Sequence, residues 1–226
     1  EFILALSKTQ LGGKRTQAGP AKAAAQRRRF RPQRNRAVTI RRFFQRMNDF
    51  LADDDVVICD IGDSLFGAAD LVIHRRTEFL SPAYYTSMGF AVPAALGAMT
   101  ARPGSRPIVI VGDGAFQMTG MELSTIIRRN LNPIIIVLDN AGYGTERLLH
   151  EGDHEFNSIH PWQYHKLPVV LGGGTGHDVH TEEDFDDALS TALKDKHSMH
   201  ILQVHLDVKD YSRTLERLAE KLRTRV

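Results

Sequence analysis

The sequence predicts an α/β protein: a doubly wound parallel sheet with helices on both faces. Three observations lead there. Short apolar runs such as Val56–Cys59, Pro107–Val111 and Pro133–Leu138 do not alternate with polar residues, which suits strands buried on both faces. Segments of helical period and helical length separate the runs. Each run passes at its carboxyl end into Asp or Gly, where ligands of open α/β sheets bind.

Each element has its own local cause. Val38–Leu51 places Ile40, Phe43, Phe44, Met47 and Leu51 on one helical face, with Thr39 available as a cap. Val56–Cys59 is the first strand, ending in Asp60. Gly89–Met99 is a helix of small residues (Ala91, Ala94, Ala95, Gly97, Ala98), suited to close packing on a sheet or another subunit. Pro107–Val111 is the second strand, Met118–Arg129 a helix, and Pro133–Leu138 the third strand. A long polar, aromatic-containing segment runs from Gly144 to about Leu171. The Gly172–Gly176 turn follows, then a short strand near His177–His180. Thr181 with Asp184 reads as a capping box for the helix Glu182–Lys194. His200–Leu206 is the last strand and Tyr211–Leu222 an amphipathic closing helix.

Composition narrows the class. The chain has 226 residues, 42% of them hydrophobic and 25% charged, enough for one good core in an ordinary soluble domain. No apolar run approaches the roughly 20 residues that span a bilayer, so no membrane association is expected. Phe2–Leu6 is too short for a signal peptide and lacks a basic flank, and residue 1 is not Met. One cysteine, Cys59, excludes an intrachain disulfide and predicts a reducing, cytoplasmic setting. Lying in an apolar run, it reads as a small core residue. Charge is uneven: residues 1–36 hold ten Lys/Arg against Glu1 alone, leaving a net of −7 for the rest of a chain whose total is +2. Arg27-Arg28-Arg29-Phe30-Arg31-Pro32 invites comparison with a nucleic-acid arm, but only Phe30 interrupts the charge with an aromatic. A solvated linker is the better reading, and no nucleic-acid partner is expected. Domains are assigned as 1–36, a basic linker and the end of a preceding domain, and 37–226, a ligand-binding domain.

The informative stretch is Val109-Ile110-Val111-Gly112-Asp113-Gly114-Ala115-Phe116-Gln117. A buried strand ends in Gly-Asp-Gly and leads into a helix, where glycines let backbone approach a ligand and Asp113 adds a hard oxygen. Dinucleotide binding fails as an explanation, because Gln117 stands where the third glycine of that fingerprint belongs. The Gly-Lys-Ser/Thr of a phosphate-binding P-loop is absent too. One strand later the chain reads Leu138-Asp139-Asn140-Ala141-Gly142-Tyr143-Gly144-Thr145-Glu146. In a parallel sheet the two strand ends share an edge, so Asp113 and Asn140 can share one cation with a carbonyl near Gly142. Mg²⁺ takes such a set of a few protein oxygens, completed by phosphate oxygens and water.

Gly-Asp-Gly, 25 intervening residues, then a strand-ending Asn resembles the signature of thiamine-diphosphate (ThDP) dependent enzymes. That pattern usually closes in Asn-Asn, whereas this chain has Asp139-Asn140; the second position is the one that matches. The resemblance implies the ThDP-binding fold, with ThDP and Mg²⁺ as cofactors and Asp113, Asn140 and the Gly142 carbonyl as metal ligands. Asp60–Gly67 resembles the family's cofactor-contacting loop, which implies roles for Gly62, Asp63 and Ser64. Tyr84–Phe90 resembles the segment supporting the bent cofactor, with Met88 wedged between its two rings and the Thr86 carbonyl accepting from its amino group. Gly112, Gly114, Ala115 and Thr145 complete the implied cofactor contacts.

The wording Asn140-Ala141-Gly142-Tyr143-Gly144-Thr145-Glu146 is the form seen in pyruvate and indolepyruvate decarboxylases, and the neighbouring runs look closer to phenylpyruvate decarboxylases. This implies non-oxidative decarboxylation of a small 2-oxo acid to an aldehyde and CO₂, with Glu146 in proton transfer. Acetolactate synthase or benzoylformate decarboxylase types, or a non-catalytic ThDP-binding subunit, remain as alternatives. The resemblance covers residues 37–226, roughly the final two-fifths of a full-length member. The pyrimidine-binding N-terminal half, with its Glu and the paired His of the decarboxylases, is then expected elsewhere, on the same polypeptide or a separate chain, and the assembly as a homodimer or homotetramer.

Two further constellations carry no separate chemistry. His150, His154, His160 and His165, spaced by four, six and five, fit no zinc motif. Their segment reads instead as a cover for the site, with Trp162 and Tyr164 giving apolar surface to a substrate pocket. No Gly-x-Ser-x-Gly elbow is present.

Overall fold

The structure is a computed structural model that describes residues 29–74, 76–150 and 154–223. Most of the expected basic linker, residues 1–28, lies outside the described residues. The sheet is wholly parallel, in the order β2-β1-β3-β4-β6-β5. Its strands are β1 (Val56–Cys59), β2 (Glu78–Leu80), β3 (Pro107–Gly112), β4 (Ile134–Asp139), β5 (Thr175–Val179) and β6 (His200–His205). The helices are α1 (Ile40–Phe50), α2 (Asp63–Phe66), α3 (Ala91–Ala101), α4 (Asp113–Thr119), α5 (Leu123–Arg128), α6 (Gly144–Leu149), α7 (Leu167–Leu171), α8 (Glu182–Lys194) and α9 (Arg213–Arg223). Among the described residues no helix is long and apolar enough to cross a membrane.

The doubly wound expectation holds because alternate residues of the same strands feed two cores. On one face Val57, Cys59, Ile110, Ile136 and Leu202 meet α1 and α8 through Phe43, Phe44, Met47, Phe185 and Leu189. On the other face Ile58, Val109, Val111, Ile135, Val137 and Ile201 meet α3, α4 and α5 through Val92, Ala95, Phe116, Leu123 and Ile126. Phe43 stacks on Phe185 at 5.1 Å and meets Phe44 edge-on at 4.9 Å, which fixes α1 against α8. Cys59 is a buried core residue, its thiol pushed up by burial.

The expected caps are present. Thr39 accepts from the Arg42 amide, and Thr181 and Asp184 form the capping box of α8. The helix expected over Met118–Arg129 differs: it starts at the end of β3, at Asp113, and is divided by a 3₁₀ turn at Gly120–Glu122. Asp113 and Gly114 read as turn residues by propensity, but β3 feeds straight into the helix and packing on the sheet overrides that preference. The closing helix begins at Arg213 rather than Tyr211, because the Ser212 hydroxyl accepts from the Leu215 amide at its start. The three-residue edge strand β2 and the short α2 were not foreseen.

Residues 30–36 are docked on this body by one buried ion pair. Glu182, 0% exposed, receives Arg42 Nη2 at 2.5 Å and Nε at 2.6 Å. The same carboxylate accepts from the Gln33 amide at 2.9 Å, while Arg42 donates to the Arg31 carbonyl at 2.8 Å and lies over the Phe30 ring. A bidentate guanidinium with its remaining donors satisfied is the geometry in which burial of both charges is tolerated. Arg42→Met, which strands Glu182, is expected to lower the unfolding free energy by about 3–5 kcal/mol in urea titrations.

At the far edge His177 Nε2 lies 3.0 Å from His200 Nδ1, and His200 Nε2 lies 3.1 Å from Asp195. Burial holds the pKa of both imidazoles below the ordinary value, which favours their neutral forms in the fold. The unfolded chain binds protons that the fold refuses, and stability present above about pH 6.5 drains away as pH falls. Urea midpoints are expected to drop between about pH 7.5 and 5.5, and to drop less in His177→Gln.

Candidate active site

The strand order reverses between β1 and β3: the chain leaves β1 for β2 on one side, then returns to build β3 on the other. Such a switch point opens a crevice at the carboxyl ends of the strands. A cavity of about 700 Å³ lies there. Every cofactor-binding, metal-ligating and catalytic residue expected from the sequence borders it. Gly62, Asp63 and Ser64 come from the turn into α2, and Thr86 and Met88 from the loop before α3. Gly112, Asp113, Gly114 and Ala115 follow β3, while Asn140, Gly142, Thr145 and Glu146 follow β4.

Asp113 is buried at the first position of α4. Its Oδ1 accepts from the Gly114 amide at 2.7 Å and its Oδ2 from the Gly142 amide at 3.0 Å. Burial foremost, and beyond that the negative charge of Asp139, push its carboxyl up to about 7 against the pull of those two amides. A buried carboxylate facing a second carboxylate is a place where a cation is welcome. Asp139 in turn accepts from Gln203 Nε2 at 2.7 Å and lies 3.2 Å from His205 Nδ1.

The loop after β4 is held in an unusual shape. Ala141 has φ +60° and Gly142 φ +141°, and the Tyr143 amide donates to the Asn157 carbonyl at 2.9 Å. Arg147 Nη1 and Nη2 donate to the carbonyls of Asn140 and Ala141 at 3.0 and 2.7 Å. At Gly142 a side chain is impossible without movement, since a Cβ would lie 2.0 Å from the Asn157 carbonyl oxygen. At Gly112, by contrast, a Cβ would meet no protein atom within 4 Å. That glycine opens on the cavity rather than on a neighbour.

Several groups escaped the sequence reading. Asp60, fully buried, accepts from the amides of Ile61 (2.9 Å), Gly89 (3.2 Å) and Ala91 (2.8 Å), tying the loop that carries Thr86 and Met88 to β1. Asn157 is buried at the cavity, and neither atom of its amide has a protein partner; the buried Ser64 hydroxyl is likewise unpartnered. Only the position of Asp60 at a strand end gave a signal; Asn157 comes from a polar stretch without pattern. Asp63 borders the cavity, but both its oxygens accept from the Ser212 amide at 3.2 and 3.1 Å, so its carboxylate fastens the entry to α9. Burial raises that carboxyl to about 6. Thr86 adopts φ +54°, a strained conformation for a β-branched residue. Glu146 stands in the first turn of α6, 3.1 Å from His150.

Trp162 and Tyr164 do not border the cavity, contrary to expectation. Tyr164 packs into the core between the sheet and α4, where it meets Phe116 edge-on and accepts from Gln117 Nε2 at 2.9 Å, and the half-buried Trp162 packs against the same cluster. The segment reaches the cavity through Leu149, Phe156 and Asn157 instead.

The donor set suits a hard cation with a polar ligand. Asp113, the Asn140 amide and the backbone at Gly142 offer oxygens, and the orphaned Ser64 and Asn157 groups await polar partners. Residues 60–204 match the family model described as thiamine pyrophosphate enzyme, C-terminal TPP binding domain. The alpha-keto-acid decarboxylase of Mycolicibacterium paratuberculosis is 35% identical over 188 residues, which is 82% of this chain and 33% of that protein. Its counterpart in Mycobacterium ulcerans is 32% identical over 194 residues, 84% of this chain and 34% of that protein. That of Mycobacterium tuberculosis is 34% identical over 188 residues, 82% of this chain and 33% of that protein. The chain spans about a third of the length of the curated relatives it matches.

The two glycines separate fold from site. Gly142→Ala is expected to cost about 1–3 kcal/mol of stability or more through strain. Gly112→Ala should leave stability within about 1 kcal/mol yet weaken ThDP binding at least about tenfold. Thermal melts beside ThDP titrations in Mg²⁺ check both.

Proposed function

This chain belongs to the thiamine pyrophosphate enzymes and carries their C-terminal TPP-binding domain, and on that premise we propose that it is the diphosphate- and metal-binding part of a ThDP- and Mg²⁺-dependent non-oxidative decarboxylase, converting a 2-oxo acid into an aldehyde and CO₂. The observation that carries the cofactor assignment is the single cavity edge shared by Asp113, Asn140, Gly142, Met88 and Thr86. The reaction class is supported by the Asn140–Glu146 sequence and by relatives named alpha-keto-acid decarboxylase.

ThDP, when bound, supplies the carbon nucleophile and the electron sink that loss of CO₂ requires. The residues of this chain have other tasks. Asp113, the Asn140 side-chain oxygen and the Gly142 carbonyl would hold Mg²⁺, which would supply positive charge for the diphosphate. Ser64 and Asn157 would offer buried polar groups to the ligand, and Met88, on the loop anchored by Asp60, would pack against it. Glu146 moves the proton at the reacting carbon, and His150 at 3.1 Å gives it a partner for exchange with solvent.

Completion by an N-terminal pyrimidine-binding half, on the same polypeptide or a separate chain, fits the apolar rim beside the cavity. Tyr84 and Tyr85 are 89% and 81% exposed, Met88 is exposed as well, and so is Met118, which lies against Gly89. The assembled enzyme is proposed to be a homodimer or homotetramer acting on pyruvate, phenylpyruvate or indolepyruvate.

The purified 226-residue chain is expected to release no CO₂ from any of these acids, and to do so once joined to the complementary half with ThDP and Mg²⁺; activity of the isolated chain would refute the assignment. In the assembled enzyme Glu146→Gln should lower kcat by about 10²–10⁴ with ThDP affinity retained. An unchanged rate would remove Glu146 from the mechanism.

A further inference from the structure

The outer edge of the sheet holds a second constellation that the cofactor reading does not use. Asp178 and His180 are two residues apart at the end of β5, so their side chains share a face. Val179 is registered with Val204, which sets His180 beside His205 on β6. The two imidazole rings lie 4.2 Å apart at an interplanar angle of 8°. Both address one carboxylate: His205 Nε2 is 2.7 Å from Asp178 Oδ1 and His180 Nε2 is 3.3 Å from Asp178 Oδ2. A third imidazole reaches the same group, with His165 Nδ1 at 3.6 Å from Asp178 Oδ1.

The geometry points to a binding site for a divalent transition metal of the zinc type, ligated by Asp178, His180 and His205. One ligand atom from each lies within 4.8 Å of the others. Tetrahedral zinc with bonds of about 2.0–2.1 Å spaces its ligand atoms about 3.4 Å apart; the three atoms are near that spacing, and the exposed His180 ring has to turn out of its stack on His205 for both imidazole lone pairs to meet one ion. Two nitrogens and one oxygen suit zinc, cobalt or nickel, and disfavour Mg²⁺ and Ca²⁺, which demand oxygen shells. Asp178 and His180 are exposed, which leaves an open path for the ion and room for water as a further ligand.

The supporting shell is already built. Metal-bound histidines commonly donate their second ring nitrogen to a carboxylate, which fixes the tautomer and strengthens the ligand. His205 has that partner, with Nδ1 3.2 Å from the nearly buried Asp139. Asp139 is itself held by Gln203 Nε2 at 2.7 Å, and Gln203 Oε1 accepts from His165. Nε2 of His205 is therefore directed outward at the place where Asp178 and His180 converge. The site stands whether or not the cavity binds ThDP.

Calorimetric titration of the tag-free 226-residue chain with ZnCl₂, in buffer containing excess Mg²⁺, tests the assignment. One zinc per chain is expected to bind, at least about tenfold more weakly in His180→Ala and in Asp178→Asn, and with unaltered affinity in His197→Ala. Both test positions are exposed, so folding should survive; Co²⁺ loaded in place of zinc gives a second reading, through visible absorption that His180→Ala abolishes. Absence of zinc binding to the parent chain would overturn the proposal, as would zinc affinity and Co²⁺ absorption that both variants leave unchanged.

Discussion

Three adjacent strands of this sheet end in buried carboxylates, and the arrangement of the site depends on how each is satisfied. Asp60 after β1 is surrounded by backbone amides, and in accepting from Gly89 and Ala91 it fastens the loop that presents Thr86 and Met88. Asp139 at the end of β4 is satisfied by Gln203 and His205. Asp113, between them, has two amides but also faces Asp139, and its carboxyl is raised accordingly. Burying two like charges side by side costs free energy that a divalent ion can return. On the proposed reading the aspartate is positioned for a cation, a local conflict of the kind expected where binding outweighs stability.

That conflict can persist because everything around it is rigid. The two cores clamp the sheet from both faces, so the strand ends have little freedom to move apart. The loop after β4 then takes left-handed backbone at Ala141 and Gly142 and is held there by Arg147 from one side and the Asn157 carbonyl from the other. Strain of this kind survives only where neighbours over-determine it. It aims the Gly142 amide at Asp113 and leaves the Asn140 side chain on the cavity wall.

Most of this was legible in the sequence where a local pattern has a single physical reading. Continuous apolar runs gave the central strands to within a residue, and Thr181 with Asp184 gave the start of α8. Gly112-Asp113-Gly114 with Asn140 brought together residues that do border one cavity. What was missed depends on contacts distant in sequence. β2 is three residues long, exposed and without alternation, so nothing in its composition marks it as a strand. Asn157 earns its place only because residues 155–158 fold back along the loop after β4, with Gly142 and Ser158 forming a bridge. Trp162 and Tyr164 were misplaced for the same reason: aromatic residues in a polar segment suit a pocket wall and a core equally, and Gln117 beside Phe116 decided for the core. The Arg42–Glu182 pair joins positions 140 residues apart and has no local signature at all.

The same register that sets Asp113 beside Asp139 continues across the sheet. Gly112 pairs with Leu138, Asp139 with His205, and Val179 with Val204, so Asp113, Asp139, His205 and His180 form one lateral row over β3, β4, β6 and β5. Its inner end offers oxygens and its outer end adds imidazoles, which sorts hard from borderline cations by ligand chemistry alone. Asp139 belongs to both ends: it repels the charge on Asp113 and orients His205. A cation at either end would draw on the negative charge of Asp139, and less of that charge would then bear on the other end. A parallel sheet makes such a row without any special device, because its strands present their carboxyl ends in register along one edge.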